Sequence, residues 1–295
     1  MMKNLKLKKI LVIGGNGQLG NCFRKIAPEF EDRYEFNFTD SQTLDITDSA
    51  NVSDFFYDYQ PDFCINASAY TAVDLAESEA EKAFAVNADG VANLAEACEE
   101  HHCILIHIST DYVFDGETNI SYSEDDFTNP QGVYGASKLK GEELALDIHP
   151  KTIIVRTSWL YSEFNKNFVK TMLHLFSTKD ELGIVSDQFG QPTNANDLAE
   201  AVMKMIETER KTFGIFHFSN EPETSWFGFA SKIAEFSGSK IKLKAITTAQ
   251  FPTAAKRPNR STMSLDKIEK YYGIEPKHWE NSLEECIEIL TKNNS

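Results

Sequence analysis

The chain has 295 residues, 41% of them hydrophobic, with 21 Phe and 10 Tyr, which suits one large α/β domain or a domain with an appendage and excludes a disordered chain. With 29 Lys and Arg against 45 Asp and Glu the formal net charge is −16, a field that repels a phosphate backbone and excludes a general nucleic-acid binder. The five cysteines (Cys22, Cys64, Cys98, Cys103, Cys286) form no Cys-x-x-Cys and the histidines no His-x-x-x-His, so reduced thiols and no metal site are expected.

Met1–Lys9 alternates Lys and Leu, but the apolar run that follows stops at Gly14, too short for a signal core. No apolar stretch reaches membrane-spanning length, so a soluble, cytoplasmic protein with no membrane partner is expected.

Lys9–Ile13 reads as a buried parallel strand and runs straight into Gly14-Gly-Asn-Gly17-Gln18-Leu19-Gly20. Gly14 allows a tight turn, Gly17 lets the backbone approach a pyrophosphate, and Gly20 lets the next helix, from Gln18, pack on the sheet with its amides toward the phosphates. A second strand at Tyr34–Phe38 ends near Asp40, an acid placed for a ribose 2′-hydroxyl; no Arg stands beside it to take a 2′-phosphate, which favours NAD over NADP. Asp45 and Ile46 follow as candidate adenine contacts, and Asp48 as the cap of a helix over Ser49–Tyr59.

A third strand, Asp62–Asn66, opens into Ala67-Ser68-Ala69-Tyr70, small enough for a dinucleotide to lie against. A helix is expected over Glu79–Glu100, with Asn87 breaking its apolar stripe and requiring a partner. The strand Ile104–Ile108 delivers Ser109, Thr110 and Asp111 to its carboxyl end, where open parallel sheets bind ligands. The long loop after Gly116 is expected to be functional or lid-like. Tyr134 and Lys138 then stand four residues apart on one helix face, where an ammonium lowers the pKa of a phenol and makes it a general acid or base.

Thr152–Arg156 is a further strand, and Trp159 after it is either a stacking platform for a ligand or a core aromatic. Strand and helix alternate to this point, the pattern of a doubly wound sheet. Beyond Tyr161 the rhythm changes, with helices expected at 164–176, 196–207, 226–237 and 283–290 and strands at 213–218 and 241–246. Lys256, Arg257 and Arg260 form a basic loop suited either to a diphosphate or to solvent.

These motifs resemble the extended short-chain dehydrogenase/reductases and, among them, the dTDP-4-dehydrorhamnose reductase family. The resemblance is carried by Gly14–Gly20, Asn66–Asp74, Ser109–Gly116, Tyr134–Lys138, Arg156–Trp159, Asp187–Thr193 and Arg257-Pro258, over nearly the whole chain. It implies a Rossmann domain over residues 1–160, to which the chain returns around 184–220, and a smaller α/β sugar-nucleotide domain over 161–295. It implies a catalytic trio of Thr110, Tyr134 and Lys138 and a cofactor, NADH or NADPH, held by Gly14, Gly17, Gln18, Leu19, Gly20, Asp40, Asp45, Ile46, Ser68, Ala69, Tyr70, Tyr134 and Lys138. The substrate, a dTDP-4-keto-6-deoxyhexose, would be met by Thr110, Asp111, Trp159, Gln188 and Arg257.

Some members of the family form magnesium-bridged dimers through a carboxylate just after the glycine-rich loop. Asn21-Cys22 stands there instead, which puts the metal in doubt and leaves a monomer or homodimer expected. The rival readings are a reductase or epimerase of another nucleotide sugar, and a catalytically silent dinucleotide-binding regulatory subunit.

Overall fold

The run Lys8–Ile13 forms β1, whose last four residues are buried. The structure is a computed structural model that describes residues 6–292; the beginning of the Lys- and Leu-rich segment, residues 1–5, lies outside the described residues. After β1 come α1 (Gln18–Ile26), β2 (Tyr34–Thr39), α2 (Ser49–Tyr59), β3 (Phe63–Asn66), a short α3 (Val73–Ala76), α4 (Ala80–Phe84) and α5 (Gly90–Glu100). Then follow β4 (Ile104–Thr110), α6 (Val133–Ile148), β5 (Thr152–Thr157), β6 (Leu160–Tyr161) and α7 (Phe168–Thr178). The last part holds β7 (Glu181–Val185), β8 (Phe189–Gly190), β9 (Thr193–Asn194), α8 (Ala195–Glu207), β10 (Gly214–His217), β11 (Thr224–Ser225), α9 (Trp226–Phe236), β12 (Lys242–Ile246), α10 (Asp266–Tyr272) and α11 (Trp279–Lys292).

The main sheet has the order β10-β5-β4-β3-β1-β2 and every pairing in it is parallel. From β1 the chain first moves outward to β2, then returns to β3 on the other side. That reversal between β1 and β3 is the switch point, where the loops after the strands part and leave a crevice. Side chains alternate across the strands. Ile10 and Val12 enter a core shared with α1 and α8, while Leu11 and Ile13 enter one shared with α2 and α5. Each such fully buried aliphatic side chain stabilises the fold by roughly 1.5–3 kcal/mol. A further core joins Tyr161, Val169, Phe229, Trp279 and Leu283 in the C-terminal part, which also contains a small parallel pair of β7 and β12. The edge strand of the main sheet, β10, comes from the part of the chain after residue 161.

Several local expectations need correction. The helix expected over Glu79–Glu100 is two helices separated by a π-helical turn at Ala85–Asp89. Asn87 sits in that turn, where its amide binds both the N–H and the C=O of Tyr70 and the Ser137 hydroxyl; the widened turn lets a polar side chain leave an apolar stripe fully bonded. The helix expected from residue 164 begins at Phe168, because the Asn167 side chain caps it by accepting from the Lys170 N–H. The final helix is longer than its apolar pattern, and α10 was not anticipated.

The long loop after Gly116 is not a free lid. Tyr122 pairs its backbone with Thr262 and Ser264, stacks on Phe114 at 4.1 Å, and its hydroxyl donates to Asp115 at 2.6 Å. Asp48 caps α2 as read from the sequence, accepting from the Ala50 and Asn51 amides.

Candidate active site

The carboxyl ends of the strands surround a cleft of about 760 Å³, a size ordinary for a ligand site (roughly 300–1,000 Å³). Gly14 adopts φ +79°, and a Cβ there would lie 2.8 Å from the Ser68 backbone nitrogen. Only glycine permits both the left-handed turn and this close passage between the loops after β1 and β3. Gly17 N-caps α1 without a side-chain cap, which leaves the first-turn amides of the helix facing the cleft. Together with Ala67, Ser68 and Ala69 across the crevice, this cradle fits a dinucleotide pyrophosphate.

Asp40 also lines the cleft, accepting from Asn16 at 2.7 Å and from the Gln42 and Thr43 amides at 3.1 Å each. Those bonds, led by the ones from Thr43, hold its carboxyl below the usual range. The sequence shows no arginine beside Asp40, but folding supplies one nearby: Arg24 of α1 lies over the Phe38 ring at 4.2 Å, two residues before Asp40. Asp45, Ile46 and Tyr70 line a smaller hollow that shares Gly14, Asp40, Ser68 and Ala69 with the main cleft.

The catalytic candidates meet in the same cleft. Thr110 and Asp111 arrive from the end of β4, Tyr134 and Lys138 from the first turns of α6. α6 lies so close to the turn after β4 that a Cβ on Gly135 would come within 2.2 Å of the Tyr112 carbonyl. This accounts for glycine directly after Tyr134. The Glu77 carboxylate accepts from the Val133 N–H at 2.9 Å, placing a negative charge at the amino end of α6.

The electrostatics differ from the sequence reading in one respect. Tyr134 was expected to be tuned toward neutrality by Lys138. Burial instead pushes its phenol up to about 12, the Thr110 hydroxyl pulling it down and Asp111 pushing it up. The Lys138 Nζ is turned to the Ile108 carbonyl at 2.7 Å and the His107 ring at 3.1 Å. Lys138 is itself lowered to about 8, by burial, with Glu142 opposing. Asp111 is raised to about 6 because it is buried, although neighbouring hydroxyls oppose the shift. Its Oδ1 accepts from Thr110 at 3.0 Å, and the Ser261 hydroxyl also stands against the carboxylate.

Other predicted residues fall elsewhere. Gly20 packs α1 onto the glycine-rich loop and does not line the cleft. Trp159 does line the cleft, but its indole stacks on Trp226 at 3.6 Å and 8°, so that face is closed to a ligand. Gln188 is buried and donates to the Thr248 hydroxyl at 3.1 Å. The basic loop is dispersed into pairs: Lys256 with Gln131, Arg257 with Asp74, and Arg260 with Glu223.

Sequence reasoning missed Asn16, Asn165 and Lys166 at the cleft wall, and Asn66, His107, Glu142 and Arg156 beneath it. Asn66, His107 and Arg156 had a signal, since a polar residue inside an apolar strand demands a partner. Among the described residues no cluster of His, Cys, Asp or Glu is fit to hold a metal ion, and no helix is long and apolar enough to cross a membrane.

A parallel sheet with a glycine-rich first turn, and Thr, Tyr and Lys converging at its carboxyl edge, define an oxidoreductase of the short-chain dehydrogenase/reductase class. The model of the RmlD substrate binding domain family matches residues 8–292. A dTDP-4-dehydrorhamnose reductase of Aggregatibacter actinomycetemcomitans is 43% identical over 287 residues, covering 94% of this chain and 97% of the relative. A solved dTDP-4-dehydrorhamnose reductase of Clostridium acetobutylicum superposes with a TM-score of 0.92 at 42% identity, covering 96% of this chain and 99% of that one. One from Bacillus anthracis, solved in complex with NADP, gives 0.92 at 36% identity, with 96% and 100% covered. The chain belongs to the dTDP-4-dehydrorhamnose reductase family.

Proposed function

We propose that this protein reduces the C4 keto group of dTDP-4-dehydro-L-rhamnose to give dTDP-L-rhamnose, with NADPH or NADH as the reductant. The observation that carries the reading is the convergence of Thr110, Tyr134 and Lys138 in one cleft with the glycine-rich loop and Asp40. The names of relatives matched over nearly their full length support the substrate, and the NADP complex of the Bacillus anthracis enzyme supports the cofactor.

The first-turn amides of α1 would hold the pyrophosphate, Asp40 a ribose hydroxyl, and Asp45, Ile46 and Tyr70 the adenine side. The bound nicotinamide supplies a hydride to the keto carbon. Tyr134, protonated at neutral pH as a phenol ordinarily is, gives a proton to the oxygen as it becomes an alkoxide. The Thr110 hydroxyl lies beside Tyr134 and hydrogen-bonds the same oxygen. Lys138 fixes the ribose from beneath. Asp111, which lines the cleft, would position the hexose, and Trp159 borders the hexose by its exposed edge.

We place the two parts of the reaction on two parts of the chain: cofactor on residues 1–160 with the returning strand near 214–217, and sugar nucleotide mainly on 161–295. Gln188 and Arg257 belong to the second part, with Arg257 reaching the nucleotide diphosphate if it leaves Asp74. We take a monomer or homodimer without metal as the working form.

The test is the purified protein with the 4-keto sugar nucleotide and NADPH or NADH, followed by loss of nicotinamide absorbance, beside Tyr134→Phe. Oxidation of the cofactor by the wild type alone is expected. Silence with both cofactors would remove the rhamnose assignment, and turnover by the Phe variant would remove Tyr134 as proton donor.

A further inference from the structure

Beneath the cleft lies a row of buried polar groups to which the proposed reaction gives no part. His107 of β4 is fully buried, with Nδ1 3.1 Å from Asn66 Nδ2 and Nε2 3.1 Å from Lys138 Nζ. Burial, and then the charge of Lys138, hold this imidazole well below the usual range, so it is neutral and has one N–H and one lone pair.

The far end of the row decides which nitrogen carries the proton. The Ser68 backbone amide can only donate, and it donates to Asn66 Oδ1 at 3.0 Å; the Ser68 hydroxyl does the same at 2.6 Å. Asn66 therefore turns its NH2 toward His107, and Nδ1 accepts. The proton is left on Nε2, pointing at Lys138 Nζ. An ammonium has three N–H groups and no lone pair, so it meets this N–H as donor against donor. An uncharged amine accepts it, and still donates to the Ile108 carbonyl at 2.7 Å.

We propose that His107, its tautomer fixed by Asn66, is a positioning residue for Lys138: it presents an N–H to the lysine nitrogen, favours the uncharged amine, and so sets the pH at which Lys138 titrates. For its catalytic consequence this rests on the role given to Lys138 under the proposed function. The other groups around Lys138 are Tyr134 and Glu142 on its own helix, Asp111 and Tyr112 after β4, and Arg156 of β5, which is bound to Glu142. Of these, Glu142 favours the ammonium, opposite to His107. Ligand oxygens that accept from Nζ also favour the ammonium, so filling of the cleft by a ribose diol draws a proton to the lysine.

Two measurements decide the proposal without any turnover. In protein labelled with 15N-histidine, long-range nitrogen–proton correlation should show His107 protonated at Nε2; protonation at Nδ1 would overturn the idea. In protein labelled with 13Cε-lysine, with Lys138→Met to assign the signal, Lys138 should titrate roughly one pH unit higher in His107→Gln, whose amide oxygen accepts from an ammonium. Asn66→Asp, which accepts from Nδ1–H and reverses the tautomer, should move it the same way. An unchanged titration in both variants overturns the proposal, and if neither folds, the wild-type tautomer decides alone.

In turnover, the alkaline limb of kcat should move up with the lysine titration in each variant, whereas mere loosening would lower kcat without moving the limb. A wild type with the Nε2–H tautomer and the shifted lysine, but no activity on the sugar nucleotide, would sink the functional reading and leave this one standing.

Discussion

Arg257 grips Asp74 with both ends of its guanidinium, Nη2 to Oδ2 at 2.8 Å and Nη1 to Oδ1 at 3.2 Å, tying the segment after β12 to the short helix α3. The Ala255 amide donates to the same carboxylate at 3.1 Å. The pair joins the two parts of the chain that we assign to sugar nucleotide and cofactor. Hydrogen bonds from Arg257 hold the Asp74 carboxyl below its usual value. A lowered carboxyl pKa adds stability above the unfolded value, and that stability is lost as pH falls through the folded one. Asp74 is nearly half exposed, so the pair is worth at most about 1 kcal/mol. Arg257→Ala and Asp74→Ala should therefore leave the urea midpoint almost unchanged; Arg257→Ala should raise KM for the sugar nucleotide, whereas Asp74→Ala, which frees the guanidinium for the diphosphate, should not, and a double-mutant cycle on KM should show the two effects to be non-additive.

Tyr134→Phe should lower kcat by at least about a hundredfold, the low end for losing a positioned general acid. The ring itself is retained, including its edge contact with Tyr112 at 5.7 Å. Cofactor affinity, followed by fluorescence of the reduced nicotinamide, should stay within a fewfold of wild type.

Asp111 supplies a pH dependence. Its folded pKa is raised to about 6, chiefly by burial. Below that pH it gains a proton and loses an acceptor for the hexose, so kcat/KM should fall on the acid side with an apparent pKa near 6. Asp111→Asn should abolish that limb. Linkage runs the other way for stability: the native state binds the proton more tightly than the unfolded chain, so this group makes the fold relatively more stable as pH drops from 6 toward 3.8. Urea titrations of wild type and Asp111→Asn across that range check the sign.

Glu142 and Arg156 are both almost fully buried, with Arg156 Nη2 2.6 Å from Glu142 Oε2 and Ser109 donating to the other carboxylate oxygen. Removing one partner strands the other charge in the interior. Glu142→Ala should cost roughly 3–5 kcal/mol, read as a shift in the urea midpoint. A loss below about 1 kcal/mol would mean that water reaches the site.

Arg24 bears on cofactor choice. It lies over Phe38, near the end of β2 and the Asp40 that follows it, where a 2′-phosphate would come. Arg24→Ala should raise KM for NADPH about tenfold, the value of a charged hydrogen bond, and leave KM for NADH unchanged. Equal effects on both would place the guanidinium away from the phosphate.

Much of this molecule was legible from local order in the chain. The glycine spacing after β1, the acid after β2, the polar triplet at the carboxyl end of β4 and the four-residue step from Tyr134 to Lys138 each lie within one turn or one strand end. Their geometry follows from backbone sterics and helical periodicity, which sequence expresses directly. The family resemblance rested on the same short runs.

What the tertiary structure decided were the relations between residues far apart in the chain. His107 meets Lys138 across 31 positions, Arg257 meets Asp74 across 183, and Trp159 stacks on Trp226. Each of these adds to a reading: the lysine nitrogen is turned to a histidine, the arginine is paired with a carboxylate, and the indole has one face covered. Long-range pairing depends on which strands become neighbours and how deeply a charge is buried, and burial sets the cost of leaving any polar group without a partner. No single run of sequence contains that information, because the cost is incurred only when the sheet closes over the group.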